Sequence, residues 1–310
     1  MKAAQLTNYG GKDSIVVQDA DKPEIANDQI LVKVVAAGVN PFDVMVREGY
    51  ARSMAELNFP STLGGDFAGT VEDIGEDVEG FQIGDAVYGQ AGALSSNGSF
   101  AEYVPVKSSQ AAVIKSDANL VDYAALPLAA GSAWQALKTH LDLQSGQTIL
   151  IHGGAGGIGS MAVQIAKALD AKVIATSAGK DVGFVKSLGA DDVIDYQTED
   201  FTQKVQDIDA VFDTVGGETN KKSYQVIKNG GGFVSMKEQP DKEQVEAKNI
   251  NYTSQFTTIT NKKLNIIADL YEQGKLKPQI DKTFNLDEAA EALEYQKTSH
   301  PKGKVVIKVQ

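Results

Sequence analysis

Residues 148–160 read TILIHGGAGGIGS, and no other stretch narrows so far what the chain can fold into. A run of branched apolar residues from Thr148 to Ile151 stops at a glycine cluster, and Met161, Ile165, Ala166 and Leu169 then recur at helical spacing. That pattern is strand, tight turn, helix. Gly154, Gly156 and Gly159 fit G-x-G-x-x-G, whose glycines permit the tight turn, the close approach of a pyrophosphate, and close helix–sheet packing. The unpaired N–H groups and positive end of such a helix suit a diphosphate. The predicted cofactor-binding turn is therefore Gly154, Ala155, Gly156, Gly157, Ile158 and Gly159. A nucleoside triphosphate loop needs G-x-x-x-x-G-K-[ST], and Ser160 stands where its lysine belongs.

After this turn, strand patterns at 172–176, 192–196, 209–213 and 232–236 alternate with helical patterns at 179–188, 199–205 and 220–227. Such alternation predicts an α/β fold with a Rossmann-type, doubly wound parallel sheet. The chain ahead of it reads differently. Strands are expected at 2–6, 14–18 and 30–36, the last ending before Gly38, and glycines punctuate short apolar runs in 60–75, 80–89 and 98–104. These suit a small β-rich unit resembling a partly open barrel. Helices at 119–125 and 128–137, broken at Pro127, lead from one unit to the other. An edge strand at 250–256 follows an acidic stretch, and helices are expected at 261–273 and 286–296, with Asn285 and Glu288 placed for a reciprocal cap. The chain closes on a strand pattern, KGKVVIKV. In the β-rich part, Asn40 and Asp43 read as a helix cap and a first-turn carboxylate, while Asp66, Asp85 and Glu102 read as turn anchors or local partners.

Composition removes several functions. With 41 acidic residues against 29 basic ones and no basic stripe, the formal charge is −12, which argues against a duplex nucleic acid or an anionic membrane as partner. No cysteine is present, so disulfides, thiolate nucleophiles and cysteine metal sites are excluded. His140, His152 and His300 show no short ligand spacing, and no G-x-S-x-G elbow occurs. No metal site is predicted. No apolar run approaches the ~20 residues of a membrane span, and MKAAQLTNYG lacks the character of a secretory leader, so a cytoplasmic location is expected. A turn selective for an unphosphorylated dinucleotide usually has an acid at the end of the second strand. Here the sequence is VIATSAGK, offering Thr176, Ser177 and Lys180 with no acid before Asp181. Hydroxyls and an ammonium satisfy a ribose phosphate, so NADPH is the expected cofactor. Ser177 as a helix cap and Lys180 as a solvated lysine are the plainer alternatives, and the pattern does not show where Asp181 points.

Taken together and in order, AAGVNPFDVMVREG (36–49), LGGDFAGTV (63–71), GDAVYG (84–89), ALPLAAGSAWQAL (125–137), ILIHGGAGGIGSMAVQIAK (149–167), LGADDVIDY (188–196) and VFDTVGG (211–217) resemble the zinc-free, zeta-crystallin-like quinone oxidoreductases of the medium-chain dehydrogenase/reductase superfamily, which include enone and alkenal reductases. The resemblance spans nearly the whole chain. It implies a chaperonin-10-like (GroES-like) catalytic domain at 1–123, a Rossmann NADP-binding domain at 124–262, and C-terminal helices and a strand at 263–310 that return to the first domain. An active site in the cleft between them and a homodimer are implied as well. Zinc-containing relatives carry a cysteine at the position of Val39 or Asn40 and Gly-His-Glu where this chain has Gly64, Gly65 and Asp66, so both ligand positions are lost.

The same resemblance implies that Asn40 lies beside the nicotinamide and the substrate, that Ser132 contacts the cofactor, that Tyr196 flanks the adenosine phosphate, and that Gly216 approaches the cofactor by its backbone. Met45 stands where bacterial quinone reductases often have tyrosine, and Tyr50 is the nearby phenol. Phe42, Met45, Phe59 and Leu94 are candidates for an apolar substrate pocket, and equally candidates for core. The implied reaction is transfer of hydride or electrons from NADPH to a quinone. Reduction of the C=C bond of an α,β-unsaturated ketone or aldehyde is the alternative, and a dinucleotide-binding protein without turnover is a reading of another class.

Overall fold

Apolar residues dominate 29–39 on both sides of the strand they form, so this segment has to be covered on both faces and paired along both edges. In the structure, a computed structural model that describes residues 1–92, 94–115 and 119–310, it is the centre of the first of two units. That unit comprises Met1–Leu128, Ile259–Asp269 and Pro278–Gln310. Its larger sheet runs in the order β15 (Ile280–Asn285), β16 (Lys304–Lys308), β3 (Gln29–Val39), β5 (Asp66–Ile74), β6 (Ala86–Gln90) and β8 (Ala111–Val113). β7 (Tyr103–Lys107) also pairs with β3, and only β15 and β16 run parallel. A smaller antiparallel sheet holds β1 (Lys2–Leu6) between β2 (Ile15–Asp19) and β4 (Ser61–Thr62).

β3 does not stop before Gly38, as the glycine suggests. It continues to Val39, with Gly38 opposite Asp66 on one side and Val306 on the other. A Cβ at residue 38 would lie 2.4 Å from the carbonyl oxygen of Ala124, the last residue of α2 (Leu120–Ala124). The glycine is there so that this helix can approach the sheet.

The C-terminal strand lies inside this first sheet. Val305 and Ile307 of β16 share a core with Val44 and Val46 of α1 (Pro41–Arg47) and with Ala289, Ala292 and Leu293 of α9 (Ala289–Thr298). The Arg47 guanidinium, wholly buried, binds Glu48 at 2.6 Å and Glu294 at 3.2 Å, which ties α1 to α9. The predicted reciprocal cap before α9 is present: Glu288 accepts the Asn285 N–H at 2.8 Å. A first turn, Leu286–Glu288, precedes the helix.

The second unit comprises Ala129–Thr258 and Leu270–Lys277. Its sheet is wholly parallel, in the order β11 (Asp192–Asp195), β10 (Lys172–Ser177), β9 (Thr148–His152), β12 (Ile208–Asp213), β13 (Ile227–Ser235) and β14 (Asn251–Ser254). This is the doubly wound order of dinucleotide-binding domains. α4 (Gly157–Ala168), α5 (Val182–Ser187), α6 (Glu218–Val226) and α7 (Lys242–Lys248) connect the strands. Two segments differ from expectation. Residues 199–205 form a single 3-10 turn, Phe201–Gln203, because Asp200 caps it by accepting the Thr202 N–H and nothing propagates it. The acidic stretch holds α7, where Asp241 accepts the N–H groups of Glu243 and Gln244 as an N-cap. Pro127 opens α3 (Pro127–Trp134), which runs on into a π-helical segment, Gln135–His140. α8 (Asn261–Glu272) completes the set, and no described helix is long and apolar enough to cross a membrane.

Gly38→Ala tests the close approach of α2. The new methyl meets a backbone oxygen that no rotamer change can move, so a loss of about 2–3 kcal/mol is expected, read as a lowered midpoint in thermal unfolding. An unchanged midpoint would show that α2 can shift at no cost.

Candidate active site

The turn after β9 gives each glycine of the motif a separate reason. A Cβ at Gly159 would lie 2.0 Å from the Gly153 carbonyl oxygen, and one at Gly154 would lie 2.9 Å from the Ala175 methyl, so packing alone requires these two. At Gly156 the nearest atom is 3.5 Å away, an ordinary contact. The protein therefore leaves room at Gly156, as a turn must if a pyrophosphate is to reach its backbone. Gly156 is also the N-cap of α4, whose first N–H groups, at Gly157, Ile158 and Gly159, have no carbonyl one turn earlier to bond. Ala155 completes the turn, and the donor set fits a dinucleotide diphosphate.

Beneath the turn, His152 is fully buried. Its Nδ1 lies 3.2 Å from the Thr176 hydroxyl and its Nε2 2.9 Å from that of Ser223. Burial lowers its pKa to about 4, so it is a neutral strut. Thr176 also accepts the Gly153 N–H at 3.3 Å, so its hydroxyl braces the turn from inside. Ser177 and Tyr196 come together at the strand ends, where the Tyr196 N–H donates to the Ser177 carbonyl at 3.1 Å. The Tyr196 ring and Lys180 are exposed. Asp181, whose direction the sequence left open, is buried. A second acid near this corner, Asp195, is engaged by the Gln197 N–H and the Thr198 hydroxyl.

Gly216 has φ +82° and gives its N–H to Asp213, which also accepts from Val215, Asn220 and Ser235. Ser132 is fully buried, its hydroxyl 2.7 Å from that of Thr257. Two glutamines that sequence reasoning passed over hold this region. Gln255 donates to the Ser132 carbonyl at 3.0 Å, and Gln135 donates to the Phe256 carbonyl while accepting the Thr258 N–H.

In the first unit, Asn40 follows the last residue of β3 and is the N-cap of α1, and it is 4% exposed. Its backbone N–H donates to Asp43 at 2.7 Å. Its side-chain nitrogen donates to Asp66 at 3.0 Å, and its side-chain oxygen accepts from the Lys304 ammonium. Lys304, 3% exposed, also donates to the Val39 carbonyl at 3.0 Å and lies 3.5 Å from Asp66. Asp66 further accepts the Leu128 N–H at 3.1 Å and the Gln90 amide at 3.3 Å. Asp66 is thus a hub joining distant parts of the chain, not the turn anchor its setting suggested. Lys304 has no sequence signature beyond standing in a strand whose next three residues are apolar. Burial raises the pKa of Asp43 to about 7, raises that of Asp66, and lowers that of Lys304, each partly opposed by the opposite charge nearby.

The apolar candidates divide. Phe42 and Leu94 are partly buried against the first unit's core. Met45 and Phe59 are each 40% exposed, Tyr50 is 73% exposed, and the Phe59 ring packs edge-on against Tyr9 at 4.8 Å. Tyr50 lies outside the hydrogen-bonded set around Asn40.

Two family models match: "Alcohol dehydrogenase GroES-like domain" over residues 26–117 and "Zinc-binding dehydrogenase" over residues 188–307. The 2-methylene-furan-3-one reductase of Solanum lycopersicum is 36% identical, over 99% of this chain and 79% of its own. The chain belongs to the zinc-free, zeta-crystallin-like quinone oxidoreductase family of the medium-chain dehydrogenases/reductases. The NADPH-dependent alkenal/one oxidoreductase of Arabidopsis thaliana is 34% identical, over 99% of this chain and 79% of its own. The solved quinone oxidoreductase of Coxiella burnetii superposes with a TM-score of 0.92 at 34% identity, over 100% of this chain and 99% of that one. Like its family, the chain is an oxidoreductase with a Rossmann domain and a GroES-like domain. Although one family model carries zinc in its description, no group of three or more His, Asp or Glu among the described residues is placed to hold a metal ion. Asn40 and Asp66 both lie against the Lys304 ammonium.

Asp43 carries a pH signature. An unfolded chain releases this proton near the ordinary value of 3.8, whereas the fold keeps it to about 7. The stability lost on ionising the buried group therefore grows from about pH 4 to pH 7 and levels off above, on the order of 4 kcal/mol in full. Asp43→Asn removes that dependence, so its thermal midpoint relative to wild type should rise between pH 5 and pH 8. A constant difference would contradict the assignment.

Proposed function

We propose that the protein reduces the C=C bond of an α,β-unsaturated ketone or aldehyde at the expense of NADPH, without a metal. The observation that carries this reading is the Asn40 amide, fixed at both ends, in a chain with 36% and 34% identity to two reductases named for a furanone and for alkenals or enones. A quinone is the second acceptor class, supported by the likeness to the Coxiella burnetii protein. Of the two, the relative with 36% identity favours the enone.

Bound NADPH supplies hydride from C4 of its nicotinamide. The turn from Gly154 to Gly159 binds the diphosphate; Ser177, Lys180 and Tyr196 receive the adenosine phosphate; Ser132 and the Gly216 backbone contact the remainder. Asn40 donates its second amide N–H to the acceptor's carbonyl oxygen. When hydride arrives at the β carbon, negative charge grows on that oxygen, and a preorganised donor there is worth ~2–4 kcal/mol. Water then protonates the α carbon. Phe42, Met45, Tyr50, Phe59 and Leu94 supply apolar surface for the acceptor. A homodimer joined through the edge strand β14, a cytoplasmic setting, and no nucleic-acid or membrane partner complete the proposal.

Two measurements test it. NADPH oxidation followed across an enone, enal and quinone panel should be faster with the enones or enals, and Asn40→Ala should lower kcat ~30- to 1,000-fold with NADPH affinity unchanged. A change below threefold would remove Asn40 from the chemistry, and NADPH binding without oxidation of any acceptor would make the protein a non-catalytic binder. Lys180→Ala should weaken NADPH at least tenfold while leaving NADH nearly untouched. Equal weakening of both would place Lys180 away from the 2′-phosphate.

A further inference from the structure

We infer that Lys304 is a positioning residue, whose buried ammonium fixes which way round the Asn40 amide is held. The inference rests on the role proposed for Asn40 and deepens it. A carboxamide can be turned over about its last bond with almost no change in shape, so packing alone does not decide whether its oxygen or its nitrogen occupies a given corner. Charge decides here. The ammonium of Lys304 has donors only, and the carboxylate of Asp66, when ionised, has acceptors only. Oxygen toward Lys304 and nitrogen toward Asp66 gives two attractive contacts. The reverse sets donors against donors and acceptors against acceptors.

The Lys304 ammonium is itself held. Its other contacts are the Val39 carbonyl at 3.0 Å and the Asp66 carboxylate at 3.5 Å, and at 3% exposure it has little access to water. It enters at the first residue of β16, next to Val305, which pairs with Val39. The backbone register therefore delivers the charge to the residue adjoining Asn40. An amide nitrogen carries two hydrogens, and Asp66 takes one. Fixing the amide fixes the direction of the other, which is the one an acceptor oxygen would receive. Without Lys304, Asn40's oxygen loses its charged donor and keeps only the capping contact at the start of α1, so the amide is freer to turn its oxygen toward the acceptor, where it would repel the growing negative charge.

Because Lys304 acts through Asn40, its loss should matter only while Asn40 is there. Lys304→Met, which keeps the length and removes the charge, should lower kcat ~10- to 100-fold, with the KM for NADPH within twofold of wild type. The double variant Lys304→Met, Asn40→Ala should be no slower than Asn40→Ala alone, within twofold. Losses that multiply, or a Lys304→Met variant within threefold of wild type, would overturn the inference by making the lysine a support for the fold or a bystander. Should the methionine variant fail to fold, a neutron structure of the unmodified protein decides by locating the amide hydrogens. Asn40 oxygen toward Lys304 is expected, and nitrogen toward Lys304 overturns the inference. The neutron result does not depend on turnover, so a protein that reduced no acceptor would defeat the proposed reaction while leaving the orientation to be judged separately.

Discussion

Taking an ammonium out of water costs several kcal/mol unless it meets a counter-charge and enough acceptors in good geometry. Lys304 is satisfied by the Asp66 carboxylate, the Val39 carbonyl and the Asn40 amide oxygen. These come from three strands: Val39 and Asn40 lie at the end of β3, Asp66 opens β5, and Lys304 opens β16. The cluster forms only if all three strands pair in the observed register. In a strand a slip of one residue sends every side chain to the opposite face, so a shifted β16 would carry the ammonium away from Asp66 and leave it unpaired. Ion cluster and register enforce each other, and through them the last strand of the chain is committed to the sheet that carries Asn40.

The second unit answers a different constraint. A turn that leaves space for a phosphate cannot be held rigid by filling that space, so it is braced from below. His152, kept neutral by burial, links Thr176 to Ser223, and Thr176 in turn accepts the Gly153 N–H. At the next strand end Asp213 does the same for Gly216. The groups behind both turns are thus already paired within the fold.

How much of this was legible follows from the range of each signal. The parallel sheet, its glycine turn and the reciprocal cap before α9 are local patterns, and they are where the sequence places them. Gly38 misled because glycine marks either a break or a close approach, and only the distant Ala124 carbonyl distinguishes the two. α7 hid in a charged stretch with no apolar period, its start marked by the cap at Asp241 alone. The return of the chain's end to the first unit was readable by resemblance and not by periodicity. Lys304 was not readable at all. A lysine in a strand is usually solvated, and what makes this one different is a set of three partners contributed by residues far earlier in the chain. Gln135 and Gln255, which knit the region around Ser132, were missed for the same reason.

A metal withdraws electrons from a carbonyl whichever way its ligands are turned, whereas an amide helps through one N–H and hinders through its oxygen. A metal-free site must therefore specify orientation as strictly as position. It must also manage net charge, because a growing oxyanion is poorly placed beside two ionised carboxylates. Asp66 is balanced by Lys304, and Asp43 is the charge left over. Burial holds the Asp43 proton up to about pH 7, so on the acid side of neutrality Asp43 adds no negative charge beside Asp66. The depth that makes Asp43 hard to ionise and the lysine that engages the Asn40 amide thus belong to one buried cluster, in which each polar group is met by a partner from another part of the fold.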